Sequence, residues 1–157
     1  MYPMRLSNNE IKNIEEIYQI IEKCDVIRIG ISVNNRPYIV PLNFGFKDNV
    51  FYFHGAQEGR KIEMIRENPN VCFEMDTDHH LVGESDRACD WTMTYASVMG
   101  TGLMTIVDDW DRKKEALNIL MAQYGGDKEY DYDDRMLSRI GIMKLEISEI
   151  SGKKSKQ

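Results

Sequence analysis

The reading of the fold turns on residues Tyr38–Pro69, YIVPLNFGFKDNVFYFHGAQEGRKIEMIRENP. The stretch reads as a strand, a tight turn, a second strand, a glycine-bearing bend and a short helix that opens on Arg60 and Lys61. Asp48-Asn49 makes the turn, since both residue types tolerate positive φ. Pro41 cannot donate to a ladder, so its strand lies at an edge or is bulged there. The loop between Gly55 and Gly59 feeds two cations into a helix start, a good place to hold a phosphate. Free N–H groups and the helix dipole favour an anion, and Arg60 and Lys61 add charge-assisted hydrogen bonds. A purely structural role for this pair is poorly motivated, because cations at a helix N-terminus oppose the dipole.

On the N-terminal side, Ser7 and Glu10 have capping-box spacing. Ile11, Ile14, Tyr18 and Ile21 then recur at helical spacing, with Ile17 and Ile20 widening the stripe. They predict an amphipathic helix over residues 8–23 covering one end of a sheet. Ile27, Ile29, Ile31 and Val33 alternate with Val26, Arg28, Gly30 and Ser32, as a strand requires. Asn34-Asn35 turns this strand into the next, near Pro37. Three antiparallel strands in succession predict a meander closing toward a barrel.

On the C-terminal side, Asn68-Pro69 stops the helix. NVCFEMD at 70–76 reads as a fourth strand, and Thr77–Cys89 as a polar loop. WTMTYASVMGTGLMTIV at 91–107 is long for one strand, and Gly100 and Gly102 predict a bend or bulge in it. Asp108 or Asp109 caps a helix to about Tyr124, with Leu117, Leu120, Met121 and Tyr124 on one face. The acidic run GGDKEYDYDD reads as a surface loop, RIGIMKLEISEI as the last strand, and residues 152–157 as a frayed tail. With no repeat or linker, the expectation is a single domain over 1–157 whose barrel spans 25–150.

A chain of 157 residues can bury a core of its own. Its net charge of −6 and pI near 5.1 argue against nucleic acid as a partner, while leaving room for one small anion held locally. No apolar run approaches the ~20 residues of a membrane span, and the first ten residues lack a signal-peptide core. The expectation is a cytoplasmic protein with no membrane partner. Cys24, Cys72 and Cys89 are odd in number and widely spaced, which suits free thiols. No basic partner for Cys89 as a nucleophile is identifiable. His79 and His80 point to opposite sides of an extended chain, and the cysteines lack ligand spacing, so no metal site is expected.

Four pieces of the chain together resemble the flavin-binding split-barrel family that includes pyridoxamine 5′-phosphate oxidase, and most closely its nitroimidazole-resistance branch. They are VPLNFGF (Val40–Phe46), FYFHGAQEGRKIEMIRENP (Phe51–Pro69), YASVMGTG (Tyr95–Gly102) and ISGKK (Ile150–Lys154). The resemblance implies a mainly β (α+β) fold, a six-stranded antiparallel split barrel with flanking helices. It implies a homodimer with FMN at the subunit interface. In the family the Arg-Lys pair before the short helix grips the FMN phosphate, which carries over to Arg60 and Lys61, preceded by Gly59. Val40, Pro41, Leu42 and Asn43 would run along the isoalloxazine edge, and His54, Gly55 and Ala56 would lie against the flavin. Tyr95 and Ser97 sit on the strand that supplies flavin or partner-subunit contacts. The oxidase proper carries R-x-x-L-K on the strand aligned with Tyr38–Phe46 and ends in an R-L-x-R-type segment. This chain has no cation in the first and no arginine after Arg139. The resemblance therefore does not extend to oxidation of pyridoxamine phosphate.

The expected function is that of an FMN-binding oxidoreductase. A reduced donor would charge the flavin, which would reduce small planar acceptors such as nitroaromatics, with His54 as the candidate proton-transfer group. Two other readings stand beside it: a flavin carrier or sensor without turnover, and a haem-binding split-barrel protein using His54, His79 or His80.

Overall fold

The structure is a computed structural model that describes residues 5–83, 86–126, 128 and 130–155. Among these residues eight strands join into one antiparallel sheet. They are β1 (Glu10–Ile11), β2 (Ile27–Val33), β3 (Arg36–Leu42), β4 (Gly45–Lys47), β5 (Val50–Gly55), β6 (Asn70–Val82), β7 (Thr92–Val107) and β8 (Gly141–Lys154). Four α-helices flank them: α1 (Ile14–Lys23), α2 (Arg60–Glu67), α3 (Trp110–Gly125) and α4 (Asp134–Arg139). The sheet runs β3-β2-β6-β7-β8-β5-β4, with β1 added to β8. Apart from the very short β1 and β4, six strands remain, and they form the expected split barrel.

The strands follow the alternation of the sequence. Ile27, Ile29 and Ile31 are buried on one face of β2, and Val71, Phe73 and Met75 on the same face of β6. Phe51 stands in the middle of this core, its ring against those of Phe44, Phe46, Phe53 and Phe73. A second core gathers Val107, Ala116, Leu117, Leu120, Leu137 and Ile142 where α3 and α4 cover the other face of β5 and β8. Both hairpin turns carry positive φ at consecutive residues, Asn34 and Asn35, then Asp48 and Asn49, as the turn chemistry requires.

Several expectations are corrected. The first helix does not begin at residue 8, and Ser7 and Glu10 form no capping box. Ser7–Asn9 is a 3₁₀ turn, and Glu10 and Ile11 pair with Lys153 and Gly152 of β8. Asn13 caps α1 instead, its side chain accepting from the Glu15 N–H. Ile11 is buried by this pairing, so tertiary contact outweighs the helical spacing, and Ile14 is left exposed. The same pairing orders Gly152–Lys154, which are strand rather than frayed tail; residues 156 and 157 lie outside the described residues.

No simple meander forms. β3 pairs with β2 alone, while β5 pairs with β8, so the chain leaves one edge of the sheet at Pro41–Leu42 and rejoins it at the other. β6 runs on through Thr77–Val82, which had the composition of a loop. A bulge between Thr77 and His80, with Asp78 at φ 58°, lets the pairing resume. The Thr94 hydroxyl stitches this bulge, accepting from the His80 N–H and donating to the Asp78 carbonyl. α4 has no counterpart among the expected elements: it is capped by Asp133 and buries only Leu137, too short for a periodic signal. The β7–β8 register does shift between Thr101 and Gly102, beside one of the two predicted glycines, but the extra residue is Ser148 on β8, so the bulge belongs to β8 and not to β7.

Candidate functional site

The corner between β3, β5 and the start of α2 brings together most of the residues singled out for an anion. α2 begins after Gly59, which sits at φ 110° and offers no capping side chain to the first N–H groups. Arg60 extends over the ring of Tyr38 on β3, with its guanidinium carbon 4.4 Å from the ring centroid. Lys61 turns toward β5: a Cβ added to Gly55 would stand 3.3 Å from its Nζ. The pair therefore spans the gap between the edge strand β3 and β5. Lys61 is half-buried, and burial lowers its pKa below the usual lysine value. Neither cation joins an ion pair with a carboxylate among the described residues. An ammonium partly withdrawn from water with no counter-charge, beside uncapped helix N–H groups, is chemically suited to a phosphate.

β3 supplies the wall of this corner. Tyr38, Val40 and Leu42 are half-buried and pack on the main core, while Pro41 and Asn43 are exposed on either side of Leu42. The Asn43 amide donates to the Asp25 carbonyl at 3.3 Å. Because β3 is an edge strand, its outward backbone groups have no ladder partner, consistent with Pro41 within it. Tyr38 is a further site residue, beyond those the sequence singles out. Its signal was present, since it shares the period-2 face of Val40 and Leu42.

His54, Ala56, Tyr95 and Ser97 stand differently. His54 alternates with the buried Phe53, so it shares the face of Tyr52 and is exposed on the side of β5 opposite Gly55. Ala56 follows the strand and is exposed at the mouth of the α2 loop. Tyr95 and Ser97 are on β7, at the far side of β2 and β6 from β3 in the sheet order. They alternate with the buried Ala96 and Val98 and so face outward. The Lys153 ammonium lies 5.4 Å from the Tyr95 ring centroid, and its hydrogen bond to the phenol lowers the Tyr95 pKa. Tyr95 also lines a cleft of about 810 Å³ with Asn9, Asp78, His80 and Lys154.

The outward face of β3-β2-β6-β7 is mixed. One row across the strands reads Pro41, Arg28, Glu74, Met99 and Ser151; the next reads Ile39, Gly30, Cys72, Thr101 and Glu149. Ile39 and Met99 are 68% and 56% exposed, well beyond what an ordinary strand face leaves in water. At the edge of this apolar area Arg28 is bonded to both Glu74 and Asp76, and Asp76 also holds His79. Burial, then the Asp76 charge, raises the Glu74 pKa. Among the described residues no group of three side chains is placed to hold a metal, and all three cysteines are free.

The comparisons with known proteins agree with this architecture. The family model described as pyridoxamine 5′-phosphate oxidase matches residues 13–154. A Bacteroides thetaiotaomicron protein provisionally assigned to 5-nitroimidazole antibiotic resistance is 32% identical, with 92% of this chain and 85% of that one covered and a TM-score of 0.81. An FAD- and haem-binding protein of Mycobacterium smegmatis superposes at TM-score 0.85 with 14% identity, covering 95% of this chain and 74% of that one. An FAD-binding protein of Mesorhizobium loti gives 0.67 at 20% identity, covering 92% and 96%. At such identities these last two likenesses concern the fold alone. No curated protein matches. No helix in the described residues is long and apolar enough to cross a membrane.

Proposed function

Since the chain belongs to the pyridoxamine 5′-phosphate oxidase family, we propose that it is a flavin-binding oxidoreductase that holds FMN by its phosphate at Arg60 and Lys61. The observation that carries this reading is the convergence of two cations, without carboxylate partners among the described residues, on the uncapped start of α2, between the aromatic Tyr38 and the side-chain-free Gly55. The residues fit the group: a phosphate would complete the bonding of Lys61, whose partly desolvated ammonium has no counter-ion among the described residues. Val40, Pro41, Leu42 and Asn43 would orient the ring along the exposed edge of β3. Bound flavin would supply the redox chemistry, with a reduced nicotinamide as donor and a small planar acceptor such as a nitroaromatic as substrate. The 32% identical relative supports that choice of acceptor.

A homodimer is part of the proposal. Tyr95 and Ser97 face outward on β7, with β2 and β6 between it and β3, so they cannot be expected to complete the Arg60–Lys61 corner of their own chain. A second copy seated on the apolar area of Ile39 and Met99 would bring its own Tyr95 and Ser97 to that corner. A cytoplasmic location is proposed with it. Flavin carriage without turnover is the second reading. It is favoured by His54, which shares the face of Tyr52 and not that of Lys61.

The visible spectrum of the freshly purified protein tests the main reading. The expected result is a flavin spectrum from the wild type, FMN on release, and a colourless Arg60→Ala/Lys61→Ala variant. Colour in both would move the phosphate site, and a colourless wild type that also ignores added FMN would overturn the flavin reading. Turnover of NAD(P)H with a nitroaromatic or quinone separates the oxidoreductase from the carrier.

A further inference from the structure

A second cleft, of about 710 Å³, opens where the Ala56–Glu58 loop and α2 meet α3, α4 and the start of β8. Its floor contains a buried cation. Lys113 is 6% exposed, and its Nζ donates to the carbonyls of Leu137 at 3.2 Å and Ile140 at 3.1 Å. An ammonium has three donors, so one is unspent. No carboxylate pairs with it among the described residues. A charge removed from water without a counter-ion is costly, and an anion in the cleft would relieve that cost. Two arginines on the rim, Arg66 of α2 and Arg139 of α4, are likewise without carboxylate partners. Three cations thus line a cleft in a chain whose net charge is −6.

The same cleft holds two carboxylates, Glu58 and Asp108, and an apolar wall of Ile62, Val107 and Ile142. Such a lining suits a ligand with an anionic end, hydroxyl or amino donors, and a flat apolar body. The volume falls within the ~300–1,000 Å³ typical of small-molecule sites, and is far more than an isolated phosphate needs. We propose that this cleft binds a nucleoside phosphate. Lys113, Arg66 and Arg139 hold the phosphate groups; Glu58 and Asp108 accept from the ribose or base. The nucleotide could be the adenylate arm of a dinucleotide flavin, reaching over the loop that begins at Gly55, or a separate nucleotide. The site does not depend on the flavin reading, because Arg60 and Lys61 do not line it.

Calorimetric titration of the full-length protein with ADP tests the proposal, with adenosine as the uncharged control. ADP is expected to bind at least about tenfold more tightly than adenosine, and Arg66→Ala/Arg139→Ala to weaken ADP by about tenfold or more without changing Tm. Lys113→Met is expected to act in the same direction, but it strips hydrogen bonds from the end of α4, so the arginine variant decides. No ADP binding at millimolar concentration, or equal binding by the arginine variant, would overturn the site. Loading with FMN and with FAD then identifies the source. ADP excluded by FAD but not by FMN means the flavin's own arm; ADP bound in the presence of both means a separate nucleotide. Exclusion by FMN as well would put ADP in the Arg60–Lys61 corner and overturn the proposal. Failure to bind either flavin would sink the flavin reading and leave this one standing on the arginine variant.

Discussion

Two regions of the molecule are rich in charge and use it in opposite ways. At the β3–α2–β5 corner, Arg60 and Lys61 have no carboxylate partner among the described residues, and one of them is desolvated. At the β6–β7–β8 end the charges are paired off: Arg28 with Glu74 and Asp76, His79 with Asp76, Lys154 with Glu16. A charge that satisfies a neighbour contributes to holding the fold. A charge left without a partner, where water is partly excluded, costs stability unless something else supplies the counter-ion. The difference therefore separates the region built for a ligand from the region built for structure.

The largest expected effect breaks the first half of that contrast. Arg60→Ala/Lys61→Ala removes two charge-assisted contacts, each worth about 1.5–3 kcal/mol when the acceptor is charged. Affinity for FMN, followed by quenching of flavin fluorescence, should fall about a hundredfold or more. The Tm of the flavin-free protein should fall by no more than about 2 °C, because among the described residues neither side chain joins an ion pair and Arg60 gives up only its exposed contact with the Tyr38 ring. A flavin-free variant that unfolds several degrees lower would mean that the pair is structural after all.

Cys24 sharpens the other half. It is 3% exposed beneath the acidic end of the sheet. Burial, then the charges of Asp76 and Glu74, push its thiol up to about 11 from an ordinary value of 9.0. The folded state therefore keeps a proton that the unfolded chain loses between these values. Stability from this group is intact below pH 9 and falls as pH rises toward 11, by roughly 1–3 kcal/mol. The urea midpoint should fall less between pH 8 and pH 10.5 in Cys24→Ala than in the wild type. Equal slopes would show that the thiol is not perturbed by its acidic surroundings.

How much of this contrast could be read from the chain itself depends on how local each feature is. The free cations were legible because Gly55, Gly59, Arg60 and Lys61 are neighbours in sequence and the helix start needs only local chemistry. The hairpin turns were legible for the same reason. What failed was non-local. Glu10 and Ile11 read as helix because their spacing is helical, yet β8, some 140 residues away, recruits them into the sheet. Thr77–Val82 read as a loop because it is polar, yet the Thr94 hydroxyl rescues its pairing across a bulge. The partnership of Arg60 with Tyr38 needed the position of an edge strand that no local pattern specifies. The burial of Lys113 is equally non-local, because it depends on the end of α4, whose carbonyls it bonds, and α4 is too short to give a periodic signal.

A smaller effect tests whether the paired end is only structural. Glu16 and Lys154 join α1 to the end of β8, and both are partly exposed. Exposed pairs of this kind contribute about 0.2–1 kcal/mol. Glu16→Gln/Lys154→Gln should lower Tm by a few degrees at most and leave FMN affinity of the protein within about threefold of wild type. A loss of flavin approaching that of the Arg60 and Lys61 variant would place Lys154 in the cofactor site and dissolve the distinction between the two regions.

The smallest change probes the corner's geometry without touching its charge. Gly55 has no unusual φ to protect, so Gly55→Ala alters only the space beside Lys61. The added methyl would meet Nζ at 3.3 Å, and its next contact is the Met143 Cε at 3.9 Å. Nζ is the far end of a flexible side chain and can yield by a few tenths of an ångström. Stability should therefore change by less than about 1 kcal/mol, in keeping with small substitutions that do not strain the backbone. Displacing the ammonium is another matter if it grips a phosphate, because such bonds depend on distance and direction. FMN affinity should drop a few-fold with riboflavin affinity unchanged, since riboflavin lacks the phosphate. Equal losses for both would locate the effect at the ring and take Lys61 away from the phosphate.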